Sequence, residues 1–445
     1  MSLKKLPTSR FARGMKLARL TASVGASALT DKVASMFSAE AEKQALKLLS
    51  QVKQAQKIAQ SLSEMKGAAM KLGQILSLHG EHLFPKEVTD VLARLQQSSD
   101  EMDFSVIEKV LITELGENYA RQLNDISQAP MASASIGQVH QATHEGEAVA
   151  VKVQYPGVDR SIDSDVDSLA SLFSVLTRIP NTSGFNGVTD EIKTILRQET
   201  DYVQEAGHMK FFSEAFKSDE ALVVPRLVEA CSTARVLTSE LVTGISVQEF
   251  AESTASPAAR AFLGRKYLEV FYQELFNLGR VQTDPNFANY KIQWSFGVQE
   301  PKLVLLDFGA VKTFDSEFQA EYKKMVRGCF DDDYDVIRDQ AISMGFLRAD
   351  DSKELIDMHY ELAKMFMEPF EKNEPYKWAE NDLPLRIRKF MMKFILAFKL
   401  RPPPREIIFL NRKIAGIYFF ASAIKAEFNP RPILESFMTS DVDRV

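Results

Sequence analysis

Apolar and polar positions alternate with two different periods along this chain. From Ser38 to about Leu123 the apolar positions recur at helical spacing. Ala39 to Gln60 is a charged, Ala-rich helix, and Pro85 opens another that runs through Val88, Val91, Leu92 and Leu95. The period then shortens: Ala148-Val149-Ala150-Val151-Lys152-Val153 reads as a strand. A helix is predicted over Val158 to Ile179, then a turn at Pro180-Asn181-Thr182-Ser183-Gly184, then a long helix over Thr189 to Phe216. Strands are expected at Ala221 to Val228 and Ala234 to Val242, followed by a hinge at Thr243-Gly244 and a helix over Pro257 to Leu278. Between Asn289 and Asp307, two runs around Gly297 and Pro301 read as a hairpin. Asp315 to Gly328 is helical, as is the remainder to Phe428, apart from Pro402-Pro403-Pro404. The expected class is α+β.

With 445 residues the chain is too long for one small core, so two or three packed units are expected. Apolar residues at 45% and charged residues at 26% are ordinary for a globular protein. A net charge of -6 argues against a general nucleic-acid binder. Cys231 and Cys329 are the two cysteines, which fits a reducing compartment and excludes a disulfide framework. The six scattered His offer no zinc-ligand spacing. Ile414 to Ile424, the longest late apolar run, is 11 residues, against the roughly 20 that a membrane helix needs, so no transmembrane helix is expected.

The charge is unevenly spread. Residues 1 to 36 carry seven basic side chains against Asp31 alone, a local charge of +6, with Phe11, Met15, Ala18 and Ala22 at helical spacing. Three readings stand: a helix on an acidic membrane surface, a helix docked on the body of the protein, or a cleaved transit peptide.

The candidate chemistry lies in four places. Thr283-Asp284-Pro285-Asn286-Phe287-Ala288-Asn289 is followed, after the predicted hairpin, by Leu305-Leu306-Asp307-Phe308-Gly309. An Asp with an Asn five positions on, then an apolar strand delivering Asp-Phe-Gly, is the layout by which kinases hold metal on nucleotide phosphates. On this reading Asn289 and Asp307 are Mg²⁺ ligands, since oxygen donors suit a hard cation, and Asp284 orients or deprotonates the attacking hydroxyl. Alone, Asp-Phe-Gly is also a common way to end a strand. Upstream, Ala132-Ser133-Ala134-Ser135, with Gly137 after it, stands where a Gly-rich phosphate loop would be. Small residues and hydroxyls can approach phosphates, although that backbone is less free than glycine's. Lys152 then sits in a Val-Ala-Val-Lys strand and becomes the expected contact to the α and β phosphates of ATP. Its acidic partner is Glu199 or Glu205; six residues apart on one helix, they lie about 240° apart and so face different partners. Finally, Lys71 and Gln74 share a helix face in Met65-Lys66-Gly67-Ala68-Ala69-Met70-Lys71-Leu72-Gly73-Gln74, a helix stripped of bulk. Taken cold, such a pair is usually solvated.

Lys71-Leu72-Gly73-Gln74, the Ala-for-Gly loop, Lys152, Glu199-x-Asp201 and the Asp284/Asn289/Asp307 set, in this order, resemble the UbiB family, the aarF-domain-containing atypical kinases that support ubiquinone biosynthesis. The resemblance covers about residues 40 to 428. It implies a protein-kinase-like two-lobed fold with an N-terminal helical extension covering the active site. The expected division is 1–37 as a basic amphipathic segment, 38–127 as the extension, 128–243 as the N-lobe and 244–445 as the C-lobe. It further implies that Lys71 and Gln74 point into the nucleotide site, Lys71 near Glu199 and Asp201, which leaves Glu205 as the ion-pair partner of Lys152. Gln282 departs from the family, many members of which have His there.

The expected function is that of an atypical kinase or ATPase that binds ATP and Mg²⁺ and acts on, or beside, a membrane lipid or isoprenoid-phenol intermediate. Its partners could include a complex of biosynthetic enzymes, and its place is the cytoplasm, peripheral on an inner membrane, or an organellar matrix in a eukaryote. Helix follows Asp-Phe-Gly almost at once, with no Ala-Pro-Glu motif and no platform for an extended peptide, so an ordinary protein-substrate groove is not expected. The alternatives are a nucleotide-gated scaffold without useful catalysis and, third, a conventional Ser/Thr kinase.

Overall fold

The computed structural model describes residues 101–134, 136–177, 190, 193–194, 196–397 and 405–439. The basic segment, the expected helical extension with Lys71 and Gln74, and Ser135 lie outside the described residues. The described residues mix helices and strands in an α+β arrangement and form two compact units. One runs up to Gly207 and takes back Arg226–Leu241; the other comprises His208–Pro225 and the residues from Val242 onward.

In the first unit, α1 (Phe104–Leu115) begins at Asp103, whose carboxylate accepts from the Ser105 N–H, and ends at Gly116 with φ 88°. The sheet is antiparallel in the order β1 (Ala132–Ser133), β2 (Gly137–His144), β3 (Glu147–Gln154) and β5 (Val236–Glu240), β4 being Leu222–Val223 of the second unit. A two-residue turn joins β2 to β3: Glu145 and Gly146 have φ 50° and 87°, the positive values that match the twist of a hairpin. β3 is central, with Lys152 opposite Val139 on one side and Leu237 on the other. Val149, Val151 and Val153 alternate into the core, and α2 (Val158–Thr177) buries Val158, Ile162 and Val166 at fourfold spacing.

The helix predicted over Thr189 to Phe216 is in fact broken. Helical residues 196–199 stop at Thr200, and α3 (Tyr202–Ala215) starts afresh with Asp201 as its cap, the Asp201 carboxylate accepting from the Gln204 N–H at 2.9 Å. The angular argument separating Glu199 from Glu205 therefore does not apply. Both break residues are short polar types whose side chains compete for backbone groups.

In the second unit, β4 runs parallel to β8 (Lys302–Leu305), which pairs antiparallel with β7 (Tyr290–Gln293) as the expected hairpin. The predicted strand over Ala221 to Val228 is shorter than the apolar run suggests, because Pro225 has no N–H to give a ladder. A second pair joins β6 (Arg280–Gln282) to β9 (Val311–Thr313). Helices α4 (Val247–Glu252) and α5 (Pro257–Tyr272) follow β5, the latter capped by Ser256 with Pro257 at its first position. Instead of running on to Leu278 as α-helix, the chain widens into a π-helical turn, Gln273–Leu278, closed by Gly279 at φ 62°. After β9 come α6 (Ser316–Asp331), α7 (Tyr334–Ser343), α8 (Lys353–Glu371), α9 (Leu383–Ala397), α10 (Arg405–Ala423) and α11 (Arg431–Thr439). A short pair, β10 (Tyr376–Lys377) with β11 (Glu427–Phe428), was not legible in the sequence. Among the described residues no helix is long and apolar enough to cross a membrane.

Candidate functional site

In the first unit the central strand delivers Lys152 to a buried acid. Lys152 Nζ donates to both oxygens of Glu205, at 2.6 and 2.9 Å, and lies 5.0 Å from the Tyr202 ring centroid. The Lys152 side chain is 17% exposed and that of Glu205 2%, so the pair is largely withdrawn from water, where charge-assisted bonds are strong. Glu199 is half-buried and Asp201 is exposed, with Asp201 serving as the cap of α3.

The described residues of the Ala-rich stretch pair with the start of β2. Ala132 and Ser133 pair with Val139 and Gln138, and the Ala134 N–H donates to the Gly137 carbonyl at 2.9 Å. Behind it, fully buried Gln138 reads the backbone of Met102, accepting from its N–H at 3.0 Å and donating to its carbonyl at 3.2 Å. Gln138 Nε2 also lies 3.0 Å from His140 Nε2, while His140 Nδ1 is 2.7 Å from the Ser127 carbonyl. A carbonyl can only accept, so Nδ1 carries the proton and Nε2 takes the amide's; burial lowers the pKa of this His and keeps it neutral.

Gly137, the one glycine of the stretch, is there for packing. A Cβ at this position would lie 2.4 Å from the Val153 carbonyl oxygen and 2.9 Å from the Tyr202 hydroxyl. Gly137→Ala must therefore push β2 away from β3. It is expected to cost about 2–3 kcal/mol, as overpacking of a tight core does, and a denaturant titration measures it; a midpoint equal to wild type would refute the packing account.

In the second unit two pairings bracket the polar islands and explain why they converge. Gln282 is opposite Val311 in β6–β9, and the Thr283 N–H and hydroxyl both donate to the Ala310 carbonyl at 2.8 Å. On the other side Tyr290 is opposite Leu305, and the Leu306 N–H donates to the Asn289 carbonyl at 3.0 Å. The Asp284 loop and the Asp307 turn are thus stitched together at both ends. Asn289 Nδ2 donates to the Asp284 carboxylate at 3.2 Å and to its carbonyl at 3.3 Å, which leaves the Asn289 amide oxygen as an acceptor. Asp307 Oδ1 accepts from the Gly309 N–H at 2.9 Å. Phe308 is fully buried; its ring is 5.2 Å from that of Phe212, and its carbonyl is 3.2 Å from His208 Nδ1, both on α3.

Among the described residues no three His, Cys, Asp or Glu gather as a metal cage. One carboxylate and one amide oxygen still suit Mg²⁺, which commonly takes one or two protein oxygens and completes its shell with water and phosphate. Sequence reasoning missed Arg412, whose Nη2 donates to Asp284 Oδ1 at 2.7 Å. Gln282, the departure from the family's His, supports the Asp284 loop, its amide donating to the Asp284 carbonyl at 2.8 Å. Arg412 lies far downstream in a helix with no motif, so no local signal pointed to it.

Comparison with known proteins gives the family and the fold. The ABC1 atypical kinase-like domain family matches residues 94–341. Atypical kinase coq-8, mitochondrial, of Caenorhabditis elegans is 35% identical over 84% of this chain, a region that spans 49% of that protein. Atypical kinase COQ8B, mitochondrial, of Rattus norvegicus is 32% identical over 97% of this chain and 81% of its own length. Among solved structures, Rv3197 of Mycobacterium tuberculosis, in complex with erythromycin, superposes with a TM-score of 0.58 at 25% identity, covering 84% of this chain and 93% of that one. The Lys152 strand, the Ala-rich stretch and the Asp284 loop all fall within the matched region, and on this evidence of sequence and fold the chain belongs to the UbiB family of ABC1 atypical kinase-like proteins.

Proposed function

We propose that this protein is an ATP- and Mg²⁺-dependent phosphohydrolase or phosphotransferase that supports isoprenoid-lipid chemistry, ubiquinone biosynthesis in the first instance, or lipid homeostasis. Lys152, held by Glu205, takes the oxygens of the α and β phosphates, and the small side chains of Ala132, Ser133, Ala134 and Ser135 let the backbone approach them. Asn289 and Asp307 supply oxygen donors for Mg²⁺, which neutralises phosphate charge when bound. Asp284 orients and deprotonates a water or an acceptor hydroxyl. Lys71, Gln74, Glu199 and Asp201 complete the nucleotide contacts by family resemblance. The mitochondrial relatives support a place in an organellar matrix, peripheral on the inner membrane, with a membrane lipid or isoprenoid phenol as the second ligand.

The observation that carries this reading is the double stitching of the Asp284 loop to the Asp307 turn. It sets a carboxylate base, an amide and a second carboxylate on neighbouring backbone. A second reading, a nucleotide-gated scaffold, draws on the Arg412 pairing of Asp284, which occupies the base with a fixed cation. ATP turnover by the purified chain with Mg²⁺, with and without liposomes carrying an isoprenoid phenol, separates the two. We expect turnover that rises with the liposomes and stops on chelation of Mg²⁺. A rise in melting temperature with Mg-ATP, but no hydrolysis with any lipid, would instead establish the scaffold. Transfer to an exogenous peptide at about 1–100 per second would mark an ordinary kinase.

A further inference from the structure

Helix α10 meets the Asp284 loop at three positions within little more than one turn. Arg412 Nη2 donates to the Asp284 carboxylate at 2.7 Å. Lys413 Nζ donates to Gln282 Oε1 at 3.1 Å, and Gln282 Nε2 donates to the Asp284 carbonyl at 2.8 Å. At Gly416 the helix touches the loop itself: a Cβ there would lie 2.0 Å from Pro285 Cβ. One turn further on, the Phe420 ring packs on Tyr267, Phe287 and Tyr290.

Lys413 is not accounted for by stability. Its side chain is 1% exposed and faces Glu274, which is 0% exposed, across 3.6 Å, beyond hydrogen-bond distance. Among the described residues neither Glu274 oxygen has a hydrogen-bond partner. Burial pushes this carboxyl up to about 7, while the Lys413 ammonium pulls it down. The ammonium is also cradled by the Tyr267 and Tyr290 rings, 5.1 and 5.8 Å from their centroids. A buried ion pair of this kind is no more stabilising than apolar residues of the same volume, and is often less so. What the charge does achieve is direction. Gln282 Oε1 accepts from both Lys413 and the Tyr290 hydroxyl, the latter at 2.9 Å. That fixes which end of the amide faces them and so aims Nε2 at Asp284. Glu274 is carried by the π-helical turn Gln273–Leu278.

We propose that α10 is the positioning element of the Asp284 loop, Arg412 setting the carboxylate and Lys413, through Gln282, setting the backbone that carries it. The proposal rests on the reading of Asp284 as the base, and both residues act through Asp284 rather than on substrate. Arg412→Gln and Lys413→Met are each expected to lower kcat for ATP by about 10- to 100-fold, as displacement of a reacting group by about 1 Å does, while ATP affinity and KM stay within about threefold. Arg412→Lys should recover part of the loss, since it keeps the cation but not the planar fork. Hydrogen exchange of the 284–289 amides gives a readout independent of turnover: faster exchange in both variants, with β8 unchanged, is expected. Unchanged loop exchange overturns the proposal, as does an Arg412→Gln variant with unchanged or raised kcat. A wild-type protein that binds ATP without hydrolysing it would sink the functional reading instead, and the exchange experiment would still decide this one.

Discussion

Asp307→Asn is expected to lower the proposed Mg²⁺-dependent ATP turnover by roughly 10²- to 10³-fold, the loss seen when one group that stabilises transition-state charge is removed, and to leave the melting temperature close to wild type. The second half of this expectation follows from the geometry. Asp307 Oδ1 accepts from the Gly309 N–H two residues on, and the Asn amide oxygen can accept the same bond. The turn is anchored independently of the carboxylate, by the Phe308 ring against Phe212 and by the His208 ring on the Phe308 carbonyl. The substitution therefore removes one negative charge while the anchors of the turn itself stay in place. A hard cation on phosphate oxygens loses its charged protein ligand and keeps the Asn289 amide. Turnover within threefold of wild type would show that Asp307 is only a strand-ending Asp and would withdraw the metal assignment.

The short-range parts of this site were legible because they are carried by residue order. An apolar strand ending in Asp-Phe-Gly, a Lys in a valine-rich strand and a hairpin between Asn289 and Asp307 are local patterns, and β3, β7 and β8 fall where the alternation puts them. Whatever depended on a single polar residue competing with the backbone was not legible. The break at Thr200–Asp201 lies inside a stretch with uniform helical spacing and is decided by the Asp201 cap. The π turn over Gln273–Leu278 preserves apolar spacing and cannot be told from α-helix by period. In sequence Gly137 is only the one glycine beside a candidate phosphate loop, whereas in the fold it makes room for the Val153 carbonyl. The partners contributed by α10 were the hardest to see, since Arg412 and Lys413 join Asp284 and Gln282 across more than a hundred residues, and nothing nearby in the chain distinguishes them from surface cations.

The Lys152–Glu205 pair allows stability and chemistry to be separated. Lys152→Met removes the cation 2.6 Å from a carboxylate that is 2% exposed, and breaking such a pair from one side costs on the order of 3 kcal/mol. It also removes the ring contact with Tyr202 and the group assigned to the phosphates. Loss of ATP binding in this variant alone would be ambiguous, because a destabilised first unit binds nothing. The double variant Lys152→Met with Glu205→Leu resolves the ambiguity, since replacing both members of a buried pair by apolar residues of similar volume is often neutral or stabilising. On the face of the sheet that carries Lys152, its cross-strand neighbours are Val139 and Leu237, with the Tyr202 ring beside it, so a methionine has apolar neighbours to pack on. The double variant is therefore expected to regain most of the stability lost in Lys152→Met, measured by denaturant midpoint, while its melting temperature no longer rises with Mg-ATP. If instead it shifts with Mg-ATP as wild type does, Lys152 serves the fold and the phosphates are held elsewhere. If it fails to regain stability, the pair is worth more to the first unit than the general behaviour of buried ion pairs allows.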